Sequence, residues 1–189
     1  GNACTADDIW HLGSCGKALT ATLAAVLIES GAVAGYDVTV GQAKAKSGAG
    51  FDSSFDDVTL EQLLCHAGGV PAAGEALNLA WSLDWHTDGD GPTTPMTNQR
   101  VQYLSAVLAQ GCTGAGAYSY SNEGYTLAAY MLEIFCGQPY EALLQAQIFD
   151  PLGMTTAGFG ASGAPDQPRK SGFAISDAQA AAFPWGHGA

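Results

Sequence analysis

Residues 10–31 read WHLGSCGKALTATLAAVLIESG, and this stretch decides the fold. Its apolar residues return at intervals of three and four, which is the spacing of one face of a helix. That face carries Leu19, Leu23, Val26 and Leu27. The pattern predicts a helix over residues 14–30, ended by Gly31 because glycine commonly follows the last helical turn.

The first turn of the predicted helix has the sequence Ser14-Cys15-Gly16-Lys17, an S-x-x-K motif. Side chains three residues apart share a helix face, with Cβ atoms about 5–6 Å apart, so Lys17 can reach the Ser14 hydroxyl. Ser14 also lies where unpaired backbone N–H groups and the helix dipole favour negative charge. The motif predicts Ser14 as a nucleophile that forms an acyl-enzyme and Lys17 as its general base.

The S-x-x-K motif alone is also compatible with another role, in which Ser14 is an N-cap serine beside a solvated lysine. Cys15 is not assigned as the nucleophile, because one residue is a rotation of about 100° around the helix.

Outward from this helix, the pattern predicts further helices joined by polar loops, in one domain over residues 1–189. Residues 31–57 are polar and rich in glycine, which predicts a surface loop. Thr59-Leu60-Glu61-Gln62 has the form of a capping box and predicts a short helix that ends at Gly68-Gly69. The remaining predicted segments are a loop or lid at 70–96, helices at about 98–110 and 123–136, a helix after Pro139, and a loop region at 155–189.

Charge and cysteine content exclude several classes of protein. The chain has 18 acidic and 6 basic residues and a net charge of −12, which disfavours binding to nucleic acid. No apolar run is long enough for a membrane-spanning segment. The 5 cysteines are odd in number and include no CxxC pair, so they indicate neither a disulfide framework nor a zinc ribbon. We expect most of them to be small buried residues.

The predicted lid contains a segment with some likeness to a metal site. Residues 84–89, DWHTDG, faintly resemble a calcium loop, but histidine stands at the third ligand position and Pro95 stands where glutamate is expected. We therefore predict no metal ligand. Trp81 and Trp85 either line a substrate cleft or anchor the loop, and the sequence leaves both roles open.

Three segments, in this order, resemble the superfamily of class C β-lactamases, penicillin-binding proteins and family VIII-type carboxylesterases. The first is the predicted nucleophile helix with its flanks, and the second is VTLEQLLCHAGGVP at 58–71. The third is residues 118–160, YSYSNEGYTLAAYMLEIFCGQPYEALLQAQIFDPLGMTTAGFG. Its first part, 118–137, is similar to the superfamily's Tyr-x-Asn segment, and its last part to a Pro-Leu-Gly-Met turn.

The resemblance implies an α/β (α+β) fold of the serine β-lactamase and DD-peptidase type. It also implies that Tyr120-Ser121-Asn122 is the Tyr-x-Asn triplet, in which Tyr120 exchanges protons with Ser14 and with the leaving group. Asn122 would bind the amide side chain of the substrate and Lys17. Tyr118 is a rival by composition, but no asparagine follows it at the required spacing. No metal or organic cofactor is implied, and the superfamily's location is the bacterial periplasm or the outside of the cell.

His66, which lies at the end of the second segment's predicted helix, is expected to be a packing or capping residue.

The superfamily also carries a third motif, Lys-Thr-Gly or His-x-Gly, on a strand well beyond the triplet, and this strand donates part of the oxyanion hole. The sequence has no Lys-Thr-Gly, and residues 187–189 come too early to replace it. We therefore expect a partial chain that is mainly the helical lobe, with the antiparallel sheet largely missing. We also expect an uncovered apolar face on the nucleophile helix, through which copies self-associate.

The expected function is that of an enzyme, an active-site-serine hydrolase that forms an acyl-enzyme. Its substrate would be a small molecule or peptide: a β-lactam, a D-Ala-terminated peptide or a short-chain ester. Fold and motif do not choose among these. The alternative is a truncated or degenerate relative that only binds. The presence of Ser14, Lys17 and Tyr120 favours the enzyme, and the lack of the third motif favours the alternative.

Overall fold

The structure is a computed structural model, and it describes residue 10 and residues 12–74 and 96–159. The α-helices in this part of the chain are α1 (Gly16–Glu29), α2 (Val40–Ser47), α3 (Leu60–Leu64), α4 (Met96–Leu108), α5 (Asn122–Cys136) and α6 (Tyr140–Leu144). Shorter turns are the 3-10 helices Gly13–Cys15 and Ser53–Phe55 and the π-helix Gln145–Phe149. The described residues contain no β-strand, so the expectation of a helical lobe without its sheet is confirmed for them.

Helix α1 begins later than the sequence predicts. Ser14 lies in the preceding 3-10 turn, and regular α-helical bonding starts after it. Leu23 and Leu27 are buried, while Leu19 and Val26 are partly buried against the same core. The expected uncovered apolar face on this helix is therefore wrong, because α1 packs against α5 and α6. Self-association of the chain stays a prediction without this basis.

A helix occupies part of the segment that its composition predicts to be loop. Helix α2 lies within residues 31–57 and begins with a capping box. The Thr39 hydroxyl accepts the Gln42 N–H at 3.3 Å, and the Gln42 side chain accepts the Thr39 N–H at 2.9 Å. Val40 and Ala43 are buried against the core. The surface-loop prediction is wrong here, because a short helix needs only a few apolar residues to fix one face.

The N-termini of α2 and α3 lie side by side. Helix α3 has the predicted capping box, formed by Thr59 and Gln62. Thr39 and Thr59 form an isolated antiparallel bridge, and the neighbouring Val40 N–H donates to the Val58 carbonyl at 2.9 Å. The bridge fixes the starts of both helices relative to each other.

We expect Thr39→Ala to lower the free energy of unfolding by about 1 kcal/mol, because the Gln42 N–H loses its side-chain acceptor. Thr39→Ser keeps the hydroxyl and should lose much less. Urea denaturation of both variants measures the difference. Equal stability of Thr39→Ala and the wild type would show that this cap contributes nothing to α2.

Helix α5 is the centre of the described fold, since it contacts α1, α2, α3, α4 and α6. Ser121 caps its N-terminus by accepting the Gly124 N–H at 2.8 Å, and Gly137, with φ of 67°, ends it in the left-handed region that favours glycine. The buried residues of α5 include Leu127, Ala128, Tyr130, Met131 and Leu132. Burial along α5 fixes the position of its first residue, Asn122, relative to the core.

A buried ion cluster joins α4, α5 and α6. Arg100 donates to Glu133 through Nε at 3.2 Å and through Nη2, and to Glu141 through Nη1 and Nη2, both at 2.8 Å. Glu133 also accepts the Tyr140 backbone N–H at 2.8 Å and the Thr97 hydroxyl at 2.9 Å. Burial alone would lower the pKa of Arg100, but its bonds to Glu141 and Glu133 raise that pKa above the ordinary value. The cluster therefore holds three helices together through a charged guanidinium.

The cysteines in the described part of the chain are free thiols. Cys15 and Cys65 are exposed, and Cys112 and Cys136 are partly buried. The expectation of mostly buried cysteines is wrong for Cys15 and Cys65, because both lie at helix ends, where side chains reach solvent.

Among the described residues, no helix has the length and apolar character needed to cross a bilayer.

Candidate active site

Ser14 and Lys17 meet at the start of α1. Lys17 Nζ donates a hydrogen bond to Ser14 Oγ at 3.3 Å. The spacing of three residues thus produces the contact that the S-x-x-K motif predicts, although Ser14 lies in the 3-10 turn rather than in the α-helix. Ser14 is exposed and Lys17 is half-buried, so a substrate can reach the hydroxyl.

Tyr120 reaches the same hydroxyl from a distant part of the sequence. Its Oη donates to Ser14 Oγ at 2.7 Å, and Lys17 Nζ lies 4.9 Å from the centroid of its ring. The structure therefore brings Ser14, Lys17 and Tyr120 together. Tyr118, the rival by composition, is 74% exposed, and its ring lies edge-on to the His66 ring with the centroids 5.9 Å apart.

Asn122 contacts the lysine of the cluster. Lys17 Nζ donates to Asn122 Oδ1 at 2.6 Å. Because Asn122 is the first residue of α5 and Lys17 lies in the first turn of α1, this bond joins the N-termini of two packed helices. It holds Lys17 Nζ beside Ser14.

The position of Lys17 changes the acidity of the Tyr120 phenol. Hydrogen bonding with the Lys17 side chain, and next with the Ser14 hydroxyl, holds the pKa of Tyr120 below its ordinary value of 10.0. Both interactions favour the phenolate. Tyr120 is 50% exposed, so water screens part of this effect. The cluster can nevertheless pass a proton among three adjacent side chains.

A buried carboxylate anchors the turn that carries Tyr120. Glu123 is 6% exposed. Its Oε2 accepts the Ser121 hydroxyl at 3.3 Å, and its Oε1 accepts the Ala73 N–H at 2.9 Å and the Tyr103 hydroxyl at 3.4 Å. In the sequence, Glu123 is simply an acidic residue in the first turn of a predicted helix, and the helix dipole favours acidic residues there in any protein. Sequence reasoning therefore missed this anchor.

Tyr125 is a second neighbour of the cluster that sequence reasoning missed. Its hydroxyl donates to the Leu64 carbonyl at 2.8 Å, and its ring centroid lies 5.6 Å from Lys17 Nζ. The available signal is its position three residues after Asn122, which places both residues on one face of α5. His66, expected as a packing or capping residue, packs its ring against the Tyr120 ring with the centroids 4.4 Å apart.

In the part of the chain that the structure describes, no group of three or more His, Cys, Asp or Glu side chains could hold a metal ion. Several sequence predictions fall outside that part. They are the segment at 84–89, Trp81, Trp85, all of the predicted lid except residues 70–74 and 96, and the loop region at 155–189 beyond residue 159.

Comparison with known proteins decides the family. The Beta-lactamase family model matches residues 1–188 of the chain. The chain belongs to the β-lactamase family. PbpX of Bacillus subtilis, described as a penicillin-binding protein, is 29% identical over 151 residues, which are 79% of this chain and 32% of PbpX. This β-lactamase-family chain spans about a third of the length of the curated relatives it matches.

Solved structures share the fold of this β-lactamase-family chain. The octameric penicillin-binding protein homologue from Pyrococcus abyssi is 26% identical with a TM-score of 0.55, over 75% of this chain and 31% of that chain. The D-stereospecific amidohydrolase from Streptomyces sp. is 22% identical with a TM-score of 0.63, over 87% of this chain and 49% of that chain. The resemblance to the superfamily of serine β-lactamases and penicillin-binding proteins is confirmed, and so is its β-lactamase/transpeptidase-like fold.

Proposed function

We propose that Ser14 is the nucleophile of an active-site-serine hydrolase that forms an acyl-enzyme with an amide or ester. One observation carries the proposal: Ser14 Oγ accepts hydrogen bonds from Lys17 Nζ at 3.3 Å and from Tyr120 Oη at 2.7 Å. A serine hydroxyl needs an adjacent proton acceptor to become a nucleophile, and Lys17 is placed to take that role, while Tyr120 is placed to donate a proton. If Ser14 were only an N-cap serine beside a solvated lysine, no contact between Ser14 and Tyr120 would be expected.

The proposed acylation step uses all three side chains. Ser14 Oγ bonds to the acyl carbon while its proton passes to Lys17, the proposed base. As the bond from the acyl carbon to the leaving nitrogen or oxygen breaks, Tyr120 donates its proton to that leaving atom. The proton held by Lys17 then restores the Tyr120 phenol. Asn122 holds Lys17 in place through its Oδ1 and, in this proposal, also binds the amide of the substrate.

Deacylation reverses the proton path. Water attacks the acyl carbon, its proton passes to the Lys17 and Tyr120 pair, and the bond between Ser14 Oγ and the acyl carbon breaks. Ser14 then takes a proton back, and the acid product leaves. No proton is gained or lost over the cycle apart from those of the water consumed.

The proposed substrates are a β-lactam, a D-Ala-terminated peptide or a short-chain ester. The β-lactam is favoured by the relatives above 25% identity, which carry the name penicillin-binding protein. The cluster itself favours none of the three, because the same proton transfers serve amides and esters.

Turnover of a substrate panel tests the proposed function. The full-length protein and its Ser14→Ala variant are assayed with nitrocefin, a D-alanyl-D-alanine peptide and p-nitrophenyl butyrate. We expect turnover of at least one compound that is lost in Ser14→Ala. Binding of these compounds without Ser14-dependent turnover would favour the alternative, a module that only binds.

Tyr120→Phe should slow acylation by about 10²-fold, because the leaving atom loses its proton donor. The pH profile gives a sharper readout. The phenolate form of Tyr120 becomes populated at a pH below 10.0, since its pKa is lowered. The phenolate has no proton to give to the leaving atom, so the wild-type rate should fall as pH rises through a midpoint below 10.0, and Tyr120→Phe should lack that fall. An unchanged profile in the variant would remove Tyr120 from the proton path.

A further inference from the structure

His66 has a backbone conformation that its side chain does not favour. Its φ is 58°, and it is the one residue other than glycine with a positive φ in the described part of the chain. Residues with a β-carbon rarely enter this left-handed region unless other contacts hold them there. His66 follows the C-cap of α3, Cys65, so the strained conformation turns the chain sharply at the end of that helix.

The contacts of His66 go to the segment that carries Tyr120. The His66 carbonyl accepts the Ser119 N–H at 2.7 Å, and the His66 ring Nδ1 accepts the Ser121 N–H at 3.1 Å. These two donors are the residues immediately before and after Tyr120. One residue therefore binds the backbone on both sides of the tyrosine.

The His66 ring also supports the Tyr120 ring. The two centroids are 4.4 Å apart with planes inclined by 32°. On α5, the Tyr125 ring lies 5.0 Å from the His66 ring with planes inclined by 40°. Tyr125 is itself fixed by its hydroxyl bond to Leu64 of α3. His66 thus connects α3, α5 and the turn before α5, and it does so at the position of Tyr120 in that turn.

We propose that His66 is the positioning residue of this site: its carbonyl and its ring nitrogen hold the backbone on both sides of Tyr120, and this backbone placement brings the phenol against Ser14. The inference rests on the proposed function, in which Tyr120 transfers protons. His66 makes no contact with Ser14 in this assignment and acts through Tyr120 alone.

The contact with Ser121 requires one tautomer of His66. An N–H donor needs an acceptor, so Nδ1 carries no proton and the neutral ring is protonated at Nε2. Burial, and next the charge of Lys17, lower the pKa of His66 below its ordinary value of 6.5, which keeps the ring neutral near neutral pH. Protonation of Nδ1 at lower pH would break the bond to Ser121. The titratable groups that face His66 are Lys17 from α1, Tyr118 and Tyr120 from the turn, Tyr125 from α5 and its own neighbour Cys65.

Two variants separate the ring from the acceptor. His66→Phe keeps an aromatic ring and loses the acceptor for Ser121. His66→Asn supplies a side-chain oxygen as acceptor, and asparagine tolerates the left-handed conformation. The readout is the pKa of the Tyr120 phenol, followed by NMR of the full-length protein labelled at tyrosine Cζ. The Tyr120 resonance is assigned by its loss in Tyr120→Phe.

In His66→Phe, the Tyr120 pKa should rise from its lowered value toward 10.0, because the phenol withdraws from Lys17 and Ser14. In His66→Asn it should stay lowered. Acylation of Ser14 by benzylpenicillin should slow by about 10²-fold in His66→Phe, as a misplaced proton-transfer group predicts. The same substitution should have little further effect in a Tyr120→Phe background, because residues that act as a unit are not additive.

A Tyr120 pKa that is the same in His66→Phe and the wild type would overturn the inference. So would equal slowing of acylation by His66→Phe in both backgrounds. If His66→Phe does not fold, a Tyr120 pKa that moves to 10.0 in His66→Asn would overturn it as well, since that variant retains the acceptor. The pKa readout requires no turnover, so a protein that is not acylated at Ser14 would contradict the proposed function and leave the positioning role testable.

Discussion

Lys17→Ala is expected to slow acylation of Ser14 by roughly 10²- to 10⁴-fold, the range that a positioned general base contributes. The lysine is the residue that contacts both Ser14 Oγ, at 3.3 Å, and Asn122 Oδ1, at 2.6 Å. Its removal takes away the proposed proton acceptor and the link between α1 and α5 at the site. Stopped-flow measurement of penicillin acylation by the full-length protein gives the rate constant.

Lys46→Ala is the matched control, because Lys46 lies on α2 and donates to the Phe135 carbonyl at 2.9 Å, away from Ser14. It removes the same charge and should leave the acylation rate unchanged. Urea denaturation should show that Lys17→Ala remains folded. Acylation of Lys17→Ala at the wild-type rate would mean that Lys17 is not the base, whatever its distance from Ser14.

Arg100→Ala should lower the free energy of unfolding by about 3–5 kcal/mol, as expected when one partner of a buried ion pair is removed. Side-chain exposure is 11% for Arg100 and 2% for Glu133, so water cannot replace the guanidinium. The variant would leave two carboxylates, Glu133 and Glu141, facing each other across the space left by the guanidinium. Guanidinium or urea denaturation monitored by circular dichroism measures the loss.

Two further variants control for this effect. Arg100→Lys keeps the charge but cannot donate to both carboxylates in the planar geometry of a guanidinium, so it should be intermediate in stability. Lys46→Ala, which alters a surface contact, should change stability by much less. A loss below about 1 kcal/mol for Arg100→Ala would show that the cluster does not join the three helices as argued.

The sequence predicts the helices best where several signals agree. For α3, the capping box at Thr59 is followed by apolar residues, and both signals indicate a helix. Helix α2 has the same signature at Thr39 and Gln42, yet its polar residues and its flanking glycines resemble a loop. For α2 the capping box indicates the observed structure and the composition does not, because a capping box satisfies backbone N–H groups that only a helix leaves unpaired.

Some contacts of the candidate site depend on local spacing in the sequence, and others depend on tertiary structure. The contact between Ser14 and Lys17 follows from helix geometry alone, because it depends on local spacing. The approach of Tyr120 to Ser14 spans 106 residues, and it was predicted only through the resemblance to the superfamily. The roles of Glu123 and His66 depend on tertiary contacts with Ala73 and Ser121, which no local pattern in the sequence encodes.

The central claim is that Ser14 becomes acylated, and mass spectrometry of the acyl-enzyme tests it most directly. The full-length protein is mixed with benzylpenicillin, quenched in acid, weighed intact and digested for tandem sequencing of the peptide that contains Ser14. The account predicts an adduct of one penicillin per chain on Ser14, absent from Ser14→Ala and greatly slowed in Lys17→Ala. An adduct on Cys15, or one that forms equally in Ser14→Ala, would contradict it.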